Sequence, residues 1–183
     1  MKLVLPFWNN ASSKRKRIYS IIFIFIIAFI LTVVGSFVPL SHQDAQTISS
    51  SLNSTLNEQR AKGNLTEYIF FNNFEICLLM FIPIIGAVLG FAILFNTGIA
   101  LGAIAYVQGF PIGLGLLSLV ITPVFWLEFT AYSIAIAESV WLTRRLMQHR
   151  WLEGKNTAIL IAVCAGILIV GAIVEVWLIN LGI

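Results

Sequence analysis

The chain has 183 residues, 59% of them hydrophobic and only 10% charged, with a formal net charge of +3. A water-soluble domain is about half apolar and about a quarter charged, so lipid must be the main solvent and a globule solvated only by water is excluded. The basic excess carries no nucleic-acid signal. Lys14, Arg15, Lys16 and Arg17 form one block and Arg144, Arg145, Arg150 and Lys155 another, each beside an apolar run and neither interleaved with base-stacking aromatics.

Taken in chain order, 1–17 reads as a cytoplasmic and interfacial segment, with Leu3, Val4, Leu5, Phe7 and Trp8 at the membrane surface. The apolar run 18–38 is about 21 residues, longer than a signal-peptide core and long enough to span, so it is expected as a retained first transmembrane helix ending at Pro39. An external polar loop is expected over 39–67. Ile48, Leu52 and Leu56 recur there at helical spacing, consistent with a short surface helix, and Asn53-Ser54-Thr55 and Asn64-Leu65-Thr66 are glycosylation sequons. A second span is predicted over 68–95. A third, over 96–122, carries Gly98, Gly102, Gly109, Pro111, Gly113 and Gly115 and is predicted to break near 109–111, in mid-membrane. A fourth span is expected over 124–143, a cytoplasmic basic loop over 144–156 and a last span over 157–181.

Charge parity decides how the broken stretch is read. Basic loops stay on the cytoplasmic side, and both basic blocks reach that side only if 96–122 crosses. The expectation is therefore an all-α, polytopic helical protein of the cell membrane, with about five transmembrane helices and a Gly/Pro-broken third span. Its N-terminus would be cytoplasmic and its C-terminus external.

A carboxylate within a spanning helix is costly and needs a partner or a purpose. Glu75, Glu128 and Glu175 are expected at similar outer-leaflet depth, and with Asn72, Asn73 and Asn96 they form a candidate intramembrane polar cluster. Two readings stay open: a site for a proton or cation, or side chains held by structural hydrogen bonds. Glu128, Ala131, Ala135 and Glu138 share a helical stripe, and Arg145, seven residues after Glu138, is its expected basic partner. Gly86 with Gly90, and Gly98 with Gly102, are small-xxx-small pairs expected to pack helices within the chain, as are Ala131 and Ala135. Cys77 and Cys164 read as small buried hydrophobes. No phosphate loop, dinucleotide fingerprint or Glu-x-x-His pair is present, no Ser, His and acid set sits within one membrane layer, and His42 and His149 fall in different loops on opposite sides. No catalytic residue, cofactor or metal ligand set is therefore assigned.

Several of these residues form a recognisable pattern. Asn72-Asn73 opens a helix; Asn96, Gly98 and Gly102 follow, with Thr97 as an extra residue; Pro123, Glu128 and Ala131 then keep a fixed spacing. From 71 to about 141 the chain thereby resembles the stage II sporulation protein M family of prokaryotic membrane proteins. It departs from that family at Val124 and Phe125, where His and Gly would stand. The resemblance implies a helical membrane protein working with other membrane protein subunits. The leading functional expectation is a non-catalytic subunit or scaffold of a larger membrane complex. A respiratory or monooxygenase-type assembly is one such setting, and no motif selects it. The alternative is a small cation- or proton-linked transporter or channel using the outer-leaflet glutamates. The expected partners are the bilayer and other subunits, with no nucleic acid.

Overall fold

In the computed structural model, which describes residues 12–148 and 154–182, the chain forms seven helices, with no strand among the described residues. They are α1 (Ser13–Ser36), α2 (His42–Ala61), α3 (Leu65–Met80), α4 (Ile85–Gln108), α5 (Ile112–Ile121), α6 (Pro123–Met147) and α7 (Gly154–Leu181). The interfacial reading of 1–8 lies outside the described residues, as do His149 and Arg150 of the basic loop.

Local chemistry sets most boundaries. The Ser12 side chain accepts the Arg15 backbone N–H at the start of α1. At α2, Ser41 Oγ accepts from the Asp44 N–H at 3.1 Å while donating to its carboxylate at 2.6 Å, a reciprocal cap. Thr122 is extended because Pro123 disfavours a helical residue before it, and Pro123 itself fits the first turn of α6. This residue bends α5 against α6 by 80°.

Three helices, α1, α4 and α7, are long and apolar enough to cross a membrane, and the bent α5–α6 pair would supply a fourth. With 16 residues, α3 falls short of a span by itself. The helix expected over 68–95 is divided: α3 stops at Met80, and α4 runs from Ile85 unbroken past Asn96. Pro83 lacks an N–H and biases its predecessor away from helix, whereas one asparagine breaks nothing. The predicted interruption after Tyr106 is present: Gly109 caps α4 at φ 72°, a backbone that glycine adopts without a side-chain penalty, and Pro111 precedes α5. Because α4 starts earlier than expected, this break falls at a helix end beside the start of α2, where the His42 and Tyr106 rings lie 6.0 Å apart, rather than halfway along a span. The polar stretch 39–67 is mostly the 20-residue α2. Its buried face is Ala45 and Ser49, with Ile48 and Leu56 half-buried and Leu52 exposed.

Contacts between helices give their directions. Thr32 meets Leu94 and Gly98, and Ser36 meets Gly102, so α1 and α4 run the same way. Asn73 meets Glu128, Cys77 meets Ala131 and Ile82 meets Ser139, so α3 and α6 run together. Arg17 pairs with Glu138, and Thr157 bonds the same carboxylate, so α1 and α7 both run opposite to α6. The bundle therefore has two distinct ends. One gathers Arg17, Trp141 and Arg144, with Trp141 lying about equally far from both guanidinium groups. The other carries α2, where Arg60 bonds Asn180 at 3.2 Å.

Apolar side chains gain little by leaving lipid for one another, so close packing and small residues must hold such helices. The largest interface, α1 on α4, relies on this. A Cβ on Gly98 would lie 2.0 Å from the Thr32 carbonyl oxygen, and on Gly35 and Gly102 it would lie 2.1 and 2.5 Å from the Phe95 and Ser36 carbonyl oxygens. Thr32 Oγ1 donates to Leu94 O at 3.0 Å within this contact. Phe25 and Phe29 of α1 pack on Phe125, Trp126 and Phe129 of α6 at ring separations of 5.7–6.1 Å.

Candidate functional site

The six residues expected to form one polar cluster separate into three places. Asn73 on α3 donates from Nδ2 to Glu128 Oε1 on α6 at 2.5 Å. Glu175 on α7 and buried Tyr132 on α6 lie within electrostatic range of Glu128. The Asn73–Glu128 bond joins α3 to α6, with the Tyr132 phenol and the Glu175 carboxylate of α7 nearby, and it can hold α3 and α6 in register. No group of three or more metal-ligating side chains occurs among the described residues.

The second place is the outer face of α3. Asn72 and Glu75 are exposed, and with Gln59, Asn64, Glu67 and Phe71 they line a shallow polar pocket of about 350 Å3. Asn72 reaches only its neighbour Asn73, at 3.4 Å, and Glu75 makes no side-chain hydrogen bond or ion pair among the described residues. Glu75 lies ten residues into α3, about 15 Å along its axis, level with the Asn73–Glu128 and Cys77–Ala131 contacts. The third place is Asn96, exposed on α4. Helical phase separates these residues. Asn73 and Cys77, four apart, face inward, whereas Asn72 and Glu75 turn to the opposite side.

Glu138 is almost fully buried and pairs with Arg17 Nη1 at 3.4 Å, while Thr157 Oγ1 donates to its other oxygen at 2.9 Å. The expected Glu138–Arg145 pair is not formed among the described residues. Seven positions along one helix leave two side chains two turns apart, whereas α1 presents Arg17 directly opposite. The small residues fall inside the bundle. Gly98 and Gly102 meet α1, Gly90 meets Ile136 of α6, Gly86 abuts the backbone at Met80, and Ala131 and Ala135 are fully buried.

Two arrangements escape sequence reasoning. Cys77 and Cys164 converge from α3 and α7 on the Ala131 carbonyl, with Sγ–O distances of 3.9 and 3.5 Å. The α3–α4 turn is clamped by α6: Ile84, at φ 71°, donates its N–H to Thr143 Oγ1 at 2.6 Å, and Ser139 Oγ donates to Ile82 O at 2.7 Å. The four-residue spacing of Ser139 and Thr143 on an apolar helix is the one signal that could have flagged this clamp.

Residues 20–178 match the family described as Stage II sporulation protein M, a wider stretch than the resemblance over 71–141. No curated protein and no solved structure matches the chain.

Proposed function

The chain belongs to the stage II sporulation protein M family, and we propose that it serves as a non-catalytic integral membrane subunit that holds partner proteins in a larger prokaryotic membrane complex. The observation that carries this reading is the outer face of α3. Asn72 and Glu75 are exposed midway along the bundle, where an ionisable side chain facing lipid costs a few kcal/mol even on lenient scales. A partner helix bringing an amide or a cation to Glu75 removes that cost, and Phe71, Leu78, Leu79 and Ile82, also exposed on α3 or just beyond it, supply apolar contact.

In this reading the chain crosses five times, with α3 and the α5–α6 pair completing the set. The basic end is cytoplasmic, and α2 and the C-terminus are external. The convergence of Arg17 and Arg144 on Trp141 supports this orientation, because both basic blocks then lie on one side.

The test is gentle detergent extraction from the native membrane, followed by native electrophoresis and mass spectrometry of the wild type and of Glu75→Leu. Wild-type chain should co-migrate with other subunits. Glu75→Leu should release a folded chain, because it removes the polar anchor without touching the interior. If Glu75→Leu migrates unchanged, or if the wild type runs as a lone species stabilised by a particular cation, the subunit reading fails. The second outcome would favour transport.

A further inference from the structure

At the basic end, α1, α6 and α7 enclose a pocket of about 240 Å3 that is open on one side. Its walls are apolar, formed by Ile18 and Ile21 of α1, Ile134 and Ala137 of α6, and Leu160 of α7. Lys14 and Arg17, nearest the start of α1, line it together with Glu138 and Trp141 of α6. Arg17 is held by Glu138 at 3.4 Å and lies 5.9 Å from the Trp141 ring, and Arg144 lies 5.8 Å from that ring. Glu138 already bonds Arg17 and Thr157, so the floor makes no further polar demand.

We infer that this pocket binds an anionic phospholipid, with its phosphate at Lys14 and Arg17 and one acyl chain along Ile21, Ile134 and Leu160. Three observations select this occupant. Along the bundle axis the lining passes from Lys14 and Arg17, with Glu138 and Trp141, to Ile21, Ile134 and Leu160, the polarity sequence of a lipid read from head to tail. The volume is below the ~300–1,000 Å3 that encloses a drug-sized ligand, so the occupant is only partly enclosed and continues out of the open side. A tryptophan beside arginines marks the headgroup level of a bilayer, and basic pockets between transmembrane helices hold anionic headgroups. The inference does not depend on the subunit role and concerns the opposite end of the bundle from the α3 pocket.

The full chain in mild detergent can be titrated with phosphatidylglycerol and with phosphatidylcholine, and bound lipid counted by native mass spectrometry. Phosphatidylglycerol should bind more than about five-fold tighter. Lys14→Gln should weaken phosphatidylglycerol about five-fold, the effect of one cation near a headgroup, and leave phosphatidylcholine unchanged. Ile134→Trp, which fills the apolar interior, should weaken both lipids. Glycerol phosphate, the headgroup alone, should not displace the lipid. Equal affinity for the two lipids would overturn the assignment, and so would Lys14→Gln binding like the parent. Displacement by glycerol phosphate would also overturn it, by revealing an anion site with no part for the acyl chain. Should Ile134→Trp fail to fold, the exposed Lys14 variant and the competition experiment decide the matter by themselves.

Discussion

Glu128 shows how much one side chain depends on what lies across from it. Its Oε1 receives the Asn73 amide, and that bond ties α3 to α6. A glutamine in its place keeps an oxygen acceptor, so Glu128→Gln should change stability by less than about 0.5 kcal/mol if the link is structural. Glu128→Leu leaves the Asn73 amide without its acceptor and should cost about 1–2 kcal/mol, seen as a lower melting temperature in detergent. Equal stability of Glu128→Leu and the parent would remove Glu128 from the link. A Gln variant that melts like the parent but loses function would move the residue from structure to proton or cation handling. The same paired mutations on Glu75 should both leave the stability of the isolated chain unchanged, because among the described residues that carboxylate makes no side-chain hydrogen bond or ion pair. This contrast could not be read from the sequence, where Asn72-Asn73 and Glu75 form one polar group. Only the helical phase of α3 sends Asn73 inward and its neighbours out.

At the scale of helices, the decisive contacts are those without side chains. Gly98 lets the backbones of α1 and α4 touch, and a Cβ there would lie 2.0 Å from Thr32 O and 2.9 Å from Ser36 N. Neither partner is a flexible side-chain tip, so the helices must separate. Gly98→Val should therefore cost at least the ~1–3 kcal/mol of an overpacked core. Gly113 is a matched control in the first turn of α5, where a Cβ meets nothing within 4 Å, and Gly113→Ala should be neutral or slightly stabilising. Thermal unfolding of the two variants in the same detergent separates loss of packing from loss of glycine as such. The Gly98-xxx-Gly102 spacing announced a packing face, but not which helix it meets. The sequence signal on the other side, Ala28, Thr32 and Ser36 at four-residue intervals, is weaker because two of the three are polar.

For the whole molecule, the separation of the two ends makes topology measurable. Cys77 and Cys164 are buried, so an introduced cysteine reports alone. At Gln43, exposed in the first turn of α2, it should react with a membrane-impermeant reagent in intact cells. At Gln148, exposed beyond α6, it should react only after lysis. Labelling at Gln148 in intact cells would invert or re-count the crossings. α3, with 16 residues, is the short helix of the bundle. It is covered on its inner side by α4, α6 and α7, and its outer side is the surface on which the subunit reading rests.

Composition and the placement of charge determined the solvent and the helical class. Apolar runs of about 20 residues in a chain with 59% hydrophobic residues satisfy their backbone in lipid as helices. Proline and glycine determined where the chain turns near 109–111 and 122–123, because those residues act through their own backbone. Tertiary structure decided everything that depends on a neighbour distant in sequence. It gave Glu138 to Arg17 rather than to Arg145, set Asn73 against Glu128 while leaving Glu75 outside, and brought Cys77 and Cys164 to one carbonyl. Periodicity along a helix assigns a residue to a face, but the identity of the opposing helix comes from how seven helices share one volume. That sharing also moved the second turn to 81–84, where Ser139 Oγ of α6 donates to Ile82 O and Thr143 Oγ1 accepts the Ile84 N–H.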